Sequence, residues 1–295
     1  MAPTPPQPAL SLHALLLLGR VSNLPTVWSN CLAGWVLAGG ENTARFGLLC
    51  AAGTCLYLGG MFLNDAFDAE FDRQRRKERP IPSGLISEAR VWQAGWLWLA
   101  LGGAAAAGLG TPSFLLAALL AGTIVLYNAI HKRTPLAVIL MGACRFQLYL
   151  LAAAAAGGPA GHAIWCGLAL GTYVAGLSYL ARRESIPGPL HWWPTLTFAT
   201  PILLALLLNG EAVEGANYRE RAFYLSLLLV IWILPSLRYA FGREPRQLGF
   251  AVSNLLAGIV LVDLLATVGE PWFVLPAFAL FFVATLALQR FVPAT

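Results

Sequence analysis

Charged side chains are scarce in this chain. Only 11% of its 295 residues are Asp, Glu, Lys or Arg, and 58% are hydrophobic, whereas charged residues make up roughly a quarter of a typical soluble domain. The apolar residues form runs of about 20, a length that crosses a hydrocarbon core roughly 30 Å thick. The composition therefore excludes an ordinary soluble protein and predicts an all-α, polytopic membrane protein.

The sequence also lacks the patterns of several other protein classes. It has five cysteines, all in apolar segments and none in a C-x-x-C pair: Cys31, Cys50, Cys55, Cys144 and Cys166. Neither a disulfide framework nor a zinc site is indicated. The Pro-rich start lacks the basic stretch and cleavage site of a signal peptide, and residues 1–11 are expected to be a disordered tail.

Ten apolar segments are predicted as membrane spans. They are 12–38, 45–67, 91–109, 113–130, 135–156, 162–181, 192–209, 221–240, 249–268 and 272–291. Only VGEP separates the last two, which could form one broken element, so about nine transmembrane helices are expected in a single domain, residues 12–295. Gly- and Ala-rich runs such as LGGAAAAGLG are typical of closely packed membrane helices.

The distribution of basic residues predicts the orientation of the chain. With the N-terminus inside, the inside segments hold fifteen of the 19 Lys and Arg residues: Arg20, Arg73, Arg75, Arg76, Lys77, Arg79, Arg90, Lys132, Arg133, Arg182, Arg183, Arg238, Arg243, Arg246 and Arg290. The positive-inside rule favours this topology. At membrane ends these residues meet lipid head groups, so the net charge of +5 does not suggest a nucleic-acid partner.

The charge that is present concentrates in one stretch, NDAFDAEFDRQRRKERPIPSG, residues 64–84. Asp65, Asp68 and Asp72 are spaced i, i+3, i+7, which on a helix places them within about 60° of one another. Asn64 flanks that face, and Glu70 points to the other side. The orientation above puts this stretch on the cytoplasmic side.

Three stacked carboxylates near a membrane repel one another and are costly to desolvate. A divalent cation would neutralise them, and oxygen-only ligands suit Mg²⁺, which commonly binds one or two carboxylates plus substrate phosphates. The basic residues that follow could hold phosphate oxygens: Arg75, Arg76, Lys77 and Arg79. A solvated loop that only anchors topology explains the arginines, but it does not explain three acids on one face.

These residues carry a resemblance to a known family. NDAFDAEFD followed by RPIPSG resembles the first aspartate-rich motif of the UbiA superfamily of intramembrane prenyltransferases, nearest to its EboC-like branch. The segment GRVSNLPTVWSNCLAGWVLAG resembles the family's first helix, and LYNAIHKRTPL resembles its Tyr…Lys-Arg segment. The resemblance implies helices around a central cavity. It also implies Mg²⁺-dependent transfer of an isoprenoid chain from a polyprenyl diphosphate to an acceptor, aromatic or lipid-like, whose identity stays open.

The resemblance also implies roles for individual residues. It assigns Asn64, Asp65, Asp68 and Asp72 to the Mg²⁺–diphosphate site. It assigns diphosphate binding to Arg79 and to the pair Lys132 and Arg133, and it places Tyr127 and Asn23 in the same cavity. In the implied reaction the donor loses diphosphate to leave an allylic cation, which aromatic faces can stabilise.

One region departs from the family pattern. The family has a second acidic motif after its sixth helix, but here LSYLARRESIPG contains only Glu184, beside Arg182 and Arg183. Glu184 could hold a second Mg²⁺ alone, or the arginines could replace that metal and bind diphosphate directly, which suits a guanidinium fork. A third possibility is a protein that kept the fold but only binds or transports a prenyl lipid.

Two charged residues fall deep within predicted spans. A charge at such depth is costly and usually faces the bundle interior or a cavity. Arg145 either makes contacts between helices or binds diphosphate or the acceptor, and the sequence favours neither. The same reasoning applies to Asp263, which could pair with Arg145. His131 adjoins Lys132 and is the one histidine that stands out as a candidate for the site.

Overall fold

The computed structural model of the chain describes residues 12–158, 160–186, 188–208, 218–242 and 244–294, and the predicted tail, 1–11, lies outside them. Within these ranges the structure is helical and contains no strand. The α-helices are α1 (Leu12–Leu18), α2 (Leu24–Leu37), α3 (Thr43–Phe67), α4 (Ala69–Arg75), α5 (Glu88–Ala107), α6 (Thr111–Ile130), α7 (Ala137–Ala156), α8 (Gly161–Ser185), α9 (Thr200–Leu203), α10 (Tyr218–Phe241), α11 (Leu248–Ala266) and α12 (Leu275–Leu288).

The all-α prediction is confirmed, and each predicted span coincides with a helical segment of the described chain. Six of these helices are long and apolar enough to cross a membrane: α3, α6, α7, α8, α10 and α11. VGEP separates α11 from α12, so the last two predicted spans are distinct elements. The predicted number, about nine, therefore describes the bundle only approximately.

The first and seventh predicted spans are interrupted, and the tenth begins with a short 3₁₀ segment (Trp272–Val274) before α12. The first breaks between α1 and α2, where Arg20 takes a left-handed backbone conformation with φ 40° and Pro25 lies in the first turn of α2. The seventh consists of a 3₁₀ segment (Trp193–Ala199), α9 and a π segment (Leu204–Leu208). Pro194 and Pro201 each lie in a first turn, where a missing N–H is tolerated, so each begins a new turn.

The bundle packs around α2, which contacts α3, α7, α11 and α12. Close helix contacts rely on small residues, as predicted from the Gly- and Ala-rich runs. A Cβ added at Gly142 in α7 would overlap the carbonyl oxygen of Gly171 in α8, and one at Gly102 in α5 would lie 2.7 Å from the Leu56 side chain in α3. Small residues thus let backbones approach where side chains would hold them apart.

Gly142→Ala is expected to destabilise the fold, because its methyl group meets backbone that cannot move without separating α7 from α8. We expect the melting temperature in detergent to fall by several degrees, corresponding to about 1–3 kcal/mol for overpacking. Gly122→Ala in α6 is the matched control, since no atom lies within 4 Å of its added Cβ. It should leave the melting temperature unchanged or raise it, because Ala favours a helix over Gly. Equal effects of the two substitutions would contradict this packing.

Candidate active site

The aspartate stretch lies where α3 passes into α4. Asp68 is the single residue between α3 and α4, and the amides of Asp68 and Asp72 still donate to the carbonyls four residues earlier, at 3.0 and 2.8 Å. Two helices joined at Asp68 thus replace the single helix expected, yet the shared face persists. Asp65, Asp68 and Asp72 are 4%, 8% and 4% exposed, whereas the Glu70 side chain is 75% exposed and pairs with Arg73.

The first cluster of this site surrounds Asp65. Its Oδ1 lies 3.4 Å from Nη2 of Arg20 and 3.8 Å from Nη1 of Arg79. Arg20 also donates to Asn64 Oδ1 at 3.2 Å, and the Asn64 amide donates to Asn128 Oδ1 at 3.1 Å. Two cations therefore neutralise a buried carboxylate. From the sequence, Arg20 was expected to mark the inside end of a span and to match the arginine of the family's first helix, and it was given no role in the site. Its position within an apolar segment was the available sign of a functional charge.

The second cluster surrounds Asp68. Its Oδ2 lies 3.1 Å from Lys132 Nζ and 3.3 Å from His131 Nε2. The His131 ring stacks on Tyr127, with ring centroids 5.0 Å apart, and Lys132 lies over the Phe71 ring, 4.2 Å from its centroid. The loop after α6 thus brings His131 and Lys132 together onto the aspartate face.

Asp68 and Asp72 lie outside the spanning helices, and the pKa values of their carboxyl groups shift in opposite directions. Burial raises the pKa of Asp68, but the hydrogen bond from His131 and the charge of Lys132 outweigh burial and hold the pKa below its ordinary value. Burial raises the pKa of Asp72, which the charge of Arg79 opposes without reversing. Burial, together with the nearby charge of Arg20, lowers the pKa of Arg79. Asp68 is therefore held as an anion that a cation can approach.

A cavity of about 180 Å³ opens beside these clusters. Of the predicted site residues, its wall includes Asn23, Asn64, Asp68, Arg79, Tyr127, Lys132, Arg145, Arg182 and Glu184. Arg20, Tyr57, Arg76 and His131 also line it. The combination of many cations with few acids on this wall suits a polyanionic ligand.

Four predicted site residues are not on the cavity wall: Asp65, Asp72, Arg133 and Arg183. Asp65 and Asp72 are buried behind it among the same cations. Arg133 follows Lys132 in the turn after α6, and that turn brings only His131 and Lys132 to the wall. The guanidinium of Arg183 lies over the Tyr179 ring, 5.5 Å from its centroid.

The degenerate second motif ends α8 beside the cavity. Arg182 lines the wall, and its Nη2 donates to the Lys132 carbonyl oxygen at 3.2 Å. This contact links the Arg182 guanidinium to the loop that carries Lys132. Glu184 also reaches the wall but is an exposed residue. The geometry therefore favours Arg182 over Glu184 as the group from this region that faces a bound ligand.

Arg145 and Asp263 do not form a direct ion pair in the described part of the chain. Arg145 Nη1 donates to Asn30 Oδ1 at 2.6 Å, and the Asn30 amide donates to Asp263 Oδ2 at 2.6 Å. Asn30 thus bridges the two charges. Because Arg145 also lines the cavity, it makes contacts between helices and faces the site, so the two interpretations left open by the sequence are compatible.

A second, apolar chamber of about 80 Å³ adjoins the cavity between α3, α6 and α7. Both spaces share Tyr57, Met61, Tyr127, Met141 and Arg145 as lining residues. Apolar side chains from α2, α3, α6 and α7 form most of the rest of the chamber, including Val27, Leu120, Ile124 and Leu148. The site therefore has a cationic end and an apolar end. The polar residues at the boundary between them are Tyr57, Tyr127 and Arg145.

The donor set is compatible with Mg²⁺ bound together with a phosphate ligand. No group of three or more His, Cys, Asp or Glu side chains in the described ranges is arranged to enclose a metal. A fully protein-enclosed Ca²⁺ or Zn²⁺ site would need such a group. Mg²⁺ instead commonly takes one or two carboxylates and completes its shell with water and substrate phosphates. The oxygens of Asp68 and Asn64 on the cavity wall meet that requirement.

Comparison with known proteins agrees with this arrangement. Residues 24–187 match the model of the UbiA prenyltransferase family. The chain is 31% identical over 209 residues to digeranylgeranylglyceryl phosphate synthase of Methanoculleus marisnigri, covering 70% of this chain and 65% of that protein. It is 32% identical over 208 residues to the synthase of that name from Methanopyrus kandleri, covering 69% of this chain and 65% of that protein. The match thus spans slightly less than two thirds of these relatives.

Solved structures show the same fold. A UbiA homolog from Aeropyrum pernix K1 superposes with a TM-score of 0.65 at 20% identity, covering 83% of this chain and 95% of that one. A UbiA homolog from Archaeoglobus fulgidus, bound to GPP and Mg²⁺, gives a TM-score of 0.64 at 15% identity, covering 94% and 99%. At sequence identities of 20% and 15%, this structural similarity shows that the helical fold is shared.

Proposed function

The chain belongs to the UbiA prenyltransferase family and is an integral membrane protein, and on that premise we propose that it is a membrane prenyltransferase. It transfers an isoprenoid chain from a polyprenyl diphosphate to an acceptor in a Mg²⁺-dependent reaction. The observation that carries the proposal is the two-part site. The cationic end around Asp68 and Lys132 suits a diphosphate, and the adjoining apolar chamber suits the first part of an isoprenoid chain.

The proposed chemistry places the leaving group among the cations. Asn64, Asp65, Asp68 and Asp72 form the Mg²⁺–diphosphate site, and when bound the metal supplies positive charge to the phosphate oxygens. As the allylic C–O bond breaks, its electron pair moves onto the diphosphate. Arg79, Lys132 and Arg182 stabilise that charge. Asp65 and Asp72 lie behind the cavity wall within the same cluster of charges. Arg133 and Arg183 also lie off the wall, and in the described part of the chain neither pairs with these aspartates, so they are left out of the proposed site.

The remaining groups on the wall serve the other reactant. Tyr57 and Tyr127 lie where the two chambers meet, and their ring faces favour an allylic cation there. Asn23 and Arg145 are proposed to contact the acceptor, which then forms the new bond to the allylic carbon and releases a proton. Because the two curated relatives are named as digeranylgeranylglyceryl phosphate synthases, a lipid-like acceptor is favoured over an aromatic one.

The cationic end of the cavity is proposed to face the cytoplasm. The inside segments hold fifteen of the 19 basic residues, and the positive-inside rule places such segments on the cytoplasmic side. Water-soluble Mg²⁺ would enter there, while the isoprenoid chain stays within the membrane.

The purified protein in nanodiscs is expected to release pyrophosphate from a prenyl diphosphate. Geranyl, farnesyl and geranylgeranyl diphosphate would each be offered with Mg²⁺ and a lipid extract as the source of acceptor. Release should stop when the metal is chelated, because the charge on the leaving group is then uncompensated. Mg²⁺-dependent binding without release would favour a prenyl-lipid carrier with a degenerate second motif. The absence of both would contradict the proposed function.

A further inference from the structure

A buried polar network joins three helices beside the cavity and lies outside the proposed diphosphate site. It contains Asn30 of α2, Arg145 and Tyr149 of α7 and Asp263 of α11. Asp263, Asn30 and Tyr149 are all 0% exposed, and Arg145 is 9% exposed. Burying a cation and an anion in the membrane is costly unless both are fully hydrogen-bonded, so a bundle that only needed packing would use apolar side chains here.

Within the described residues, every hydrogen bond to the carboxylate of Asp263 comes from a neutral donor. Ser29 Oγ and the Asn30 amide donate to Oδ2 at 2.5 and 2.6 Å, and the Tyr149 hydroxyl donates to Oδ1 at 2.5 Å. In the described part of the chain the hydrogen-bonded link between Arg145 and Asp263 runs through Asn30, because the carbonyl end of that amide accepts from Arg145 at 2.6 Å. The amide dipole is therefore aligned between the cation and the anion, which fixes its orientation.

Arg145 is also held at its other nitrogen. Nη2 donates to Thr26 Oγ1 at 3.2 Å, and Nη1 lies 3.4 Å from the Thr26 carbonyl oxygen. Eight residues separate Arg145 from the start of α7, which is about 12 Å along a helix. The backbone of Arg145 is thus two turns into α7, and its side chain lies on the wall shared with the apolar chamber.

We propose that Asp263 is a positioning residue of the reaction: it acts through Asn30 to fix Arg145 on the cavity wall and to balance its charge. The inference rests on the proposed function, because the charge balance between Arg145 and Asp263 affects the reaction only if an allylic cation forms nearby. An uncompensated guanidinium beside that carbon opposes ionisation of the donor. With Asp263 in place, the deep wall offers hydrogen-bond donors to the acceptor without adding net positive charge.

The contacts of Asp263 provide a sharp test. In Asp263→Asn the new amide can present its oxygen to Asn30 and Ser29, while the Tyr149 hydroxyl turns to accept. The hydrogen bonds then survive and only the charge is lost. We expect kcat for pyrophosphate release from geranyl diphosphate to fall about 10- to 100-fold. KM for this donor should change less than about threefold, because the diphosphate is held at the mouth.

The swapped double variant, Asn30→Asp with Asp263→Asn, moves the carboxylate from α11 to α2 and restores the charge balance. The carboxylate introduced on α2 would accept from Arg145 directly. The amide introduced on α11 would donate to that carboxylate and to Ser29, while its oxygen still accepts from Tyr149. We expect this variant to recover most of the lost kcat. Tyr149→Phe is the matched control: it removes one donor to Asp263 but leaves both charges, and it should cost less than about threefold.

Asp263→Asn should add no further loss of kcat in an Arg145→Met background, because its effect passes through Arg145. Melting temperatures of all variants in detergent separate this effect from unfolding. Unchanged kcat in Asp263→Asn, or additive losses with Arg145→Met, would overturn the inference while the proposed function stands. So would a swapped variant that melts like the wild type yet stays as slow as Asp263→Asn. A wild-type protein without pyrophosphate release would overturn the proposed function first, and this inference with it.

Discussion

Asp68→Ala is expected to abolish Mg²⁺-dependent binding of geranyl diphosphate, with the Kd raised at least about 100-fold, or about 2.7 kcal/mol. The substitution removes the carboxylate that faces the cavity. It also leaves Lys132 and His131, which lie 3.1 and 3.3 Å from its Oδ2, without their anionic partner. Isothermal titration of the protein in nanodiscs with geranyl diphosphate, with and without Mg²⁺, measures the effect.

Glu70→Ala is the matched control for that prediction. Glu70 lies two residues from Asp68, but its side chain is 75% exposed and contacts only Arg73 and Gln74 in the described part of the chain. The Kd should stay within about twofold, because an exposed ion pair contributes little. If Glu70→Ala weakened donor binding as much as Asp68→Ala, the assignment of the aspartate face would be wrong.

Arg182→Met is expected to raise the Kd for geranyl diphosphate about 10- to 100-fold, the loss typical of a charged hydrogen bond. Arg182 lines the cavity and lies in the region that the resemblance assigned to the family's second acidic motif. A guanidinium there can bind diphosphate oxygens directly. Titration at saturating Mg²⁺ measures the change, and the dependence of binding on Mg²⁺ concentration should remain that of a single metal site.

Substitutions at the two residues after Arg182 test whether Arg182 replaces a second Mg²⁺ or Glu184 holds one. Arg183→Met should have little effect on the Kd, because that guanidinium lies over the Tyr179 ring and off the cavity wall. Glu184→Gln should also be mild if Arg182 replaces the second metal. A strong effect of Glu184→Gln together with a mild effect of Arg182→Met would instead indicate that Glu184 holds a second Mg²⁺.

The sequence predicted the features that follow from local periodicity. The spacing of Asp65, Asp68 and Asp72 placed them on one face because helical geometry depends only on neighbours along the chain. The apolar runs located the spans because bilayer thickness sets their length. The prediction of the spans is confirmed, since every predicted span coincides with a helical segment of the described chain. The three aspartates are all buried, although the helix breaks at Asp68 and only Asp68 of the three lines the cavity.

Features that depend on contacts distant in the sequence were missed. Arg20 reaches Asp65 across 45 residues, and Asn30 links Arg145 to Asp263 across 115 and 233 residues. The periodicity of apolar residues along the sequence does not predict such contacts, because they depend on which helices pack against each other. The break at Arg20 was also missed, because its cause is a single left-handed residue inside an apolar run. The assignment to the EboC-like branch stays a prediction.

The position of the diphosphate is the most direct test of the two-part site. An experimental structure of the protein with Mg²⁺ and the thiolodiphosphate analogue of geranyl diphosphate, which resists ionisation, would locate both ends of the donor. The diphosphate is expected between Asp68, Lys132 and Arg182, with the geranyl chain passing Tyr57 and Tyr127 into the chamber beside Leu120 and Leu148. A diphosphate bound elsewhere, or a geranyl chain directed away from that chamber, would contradict the account.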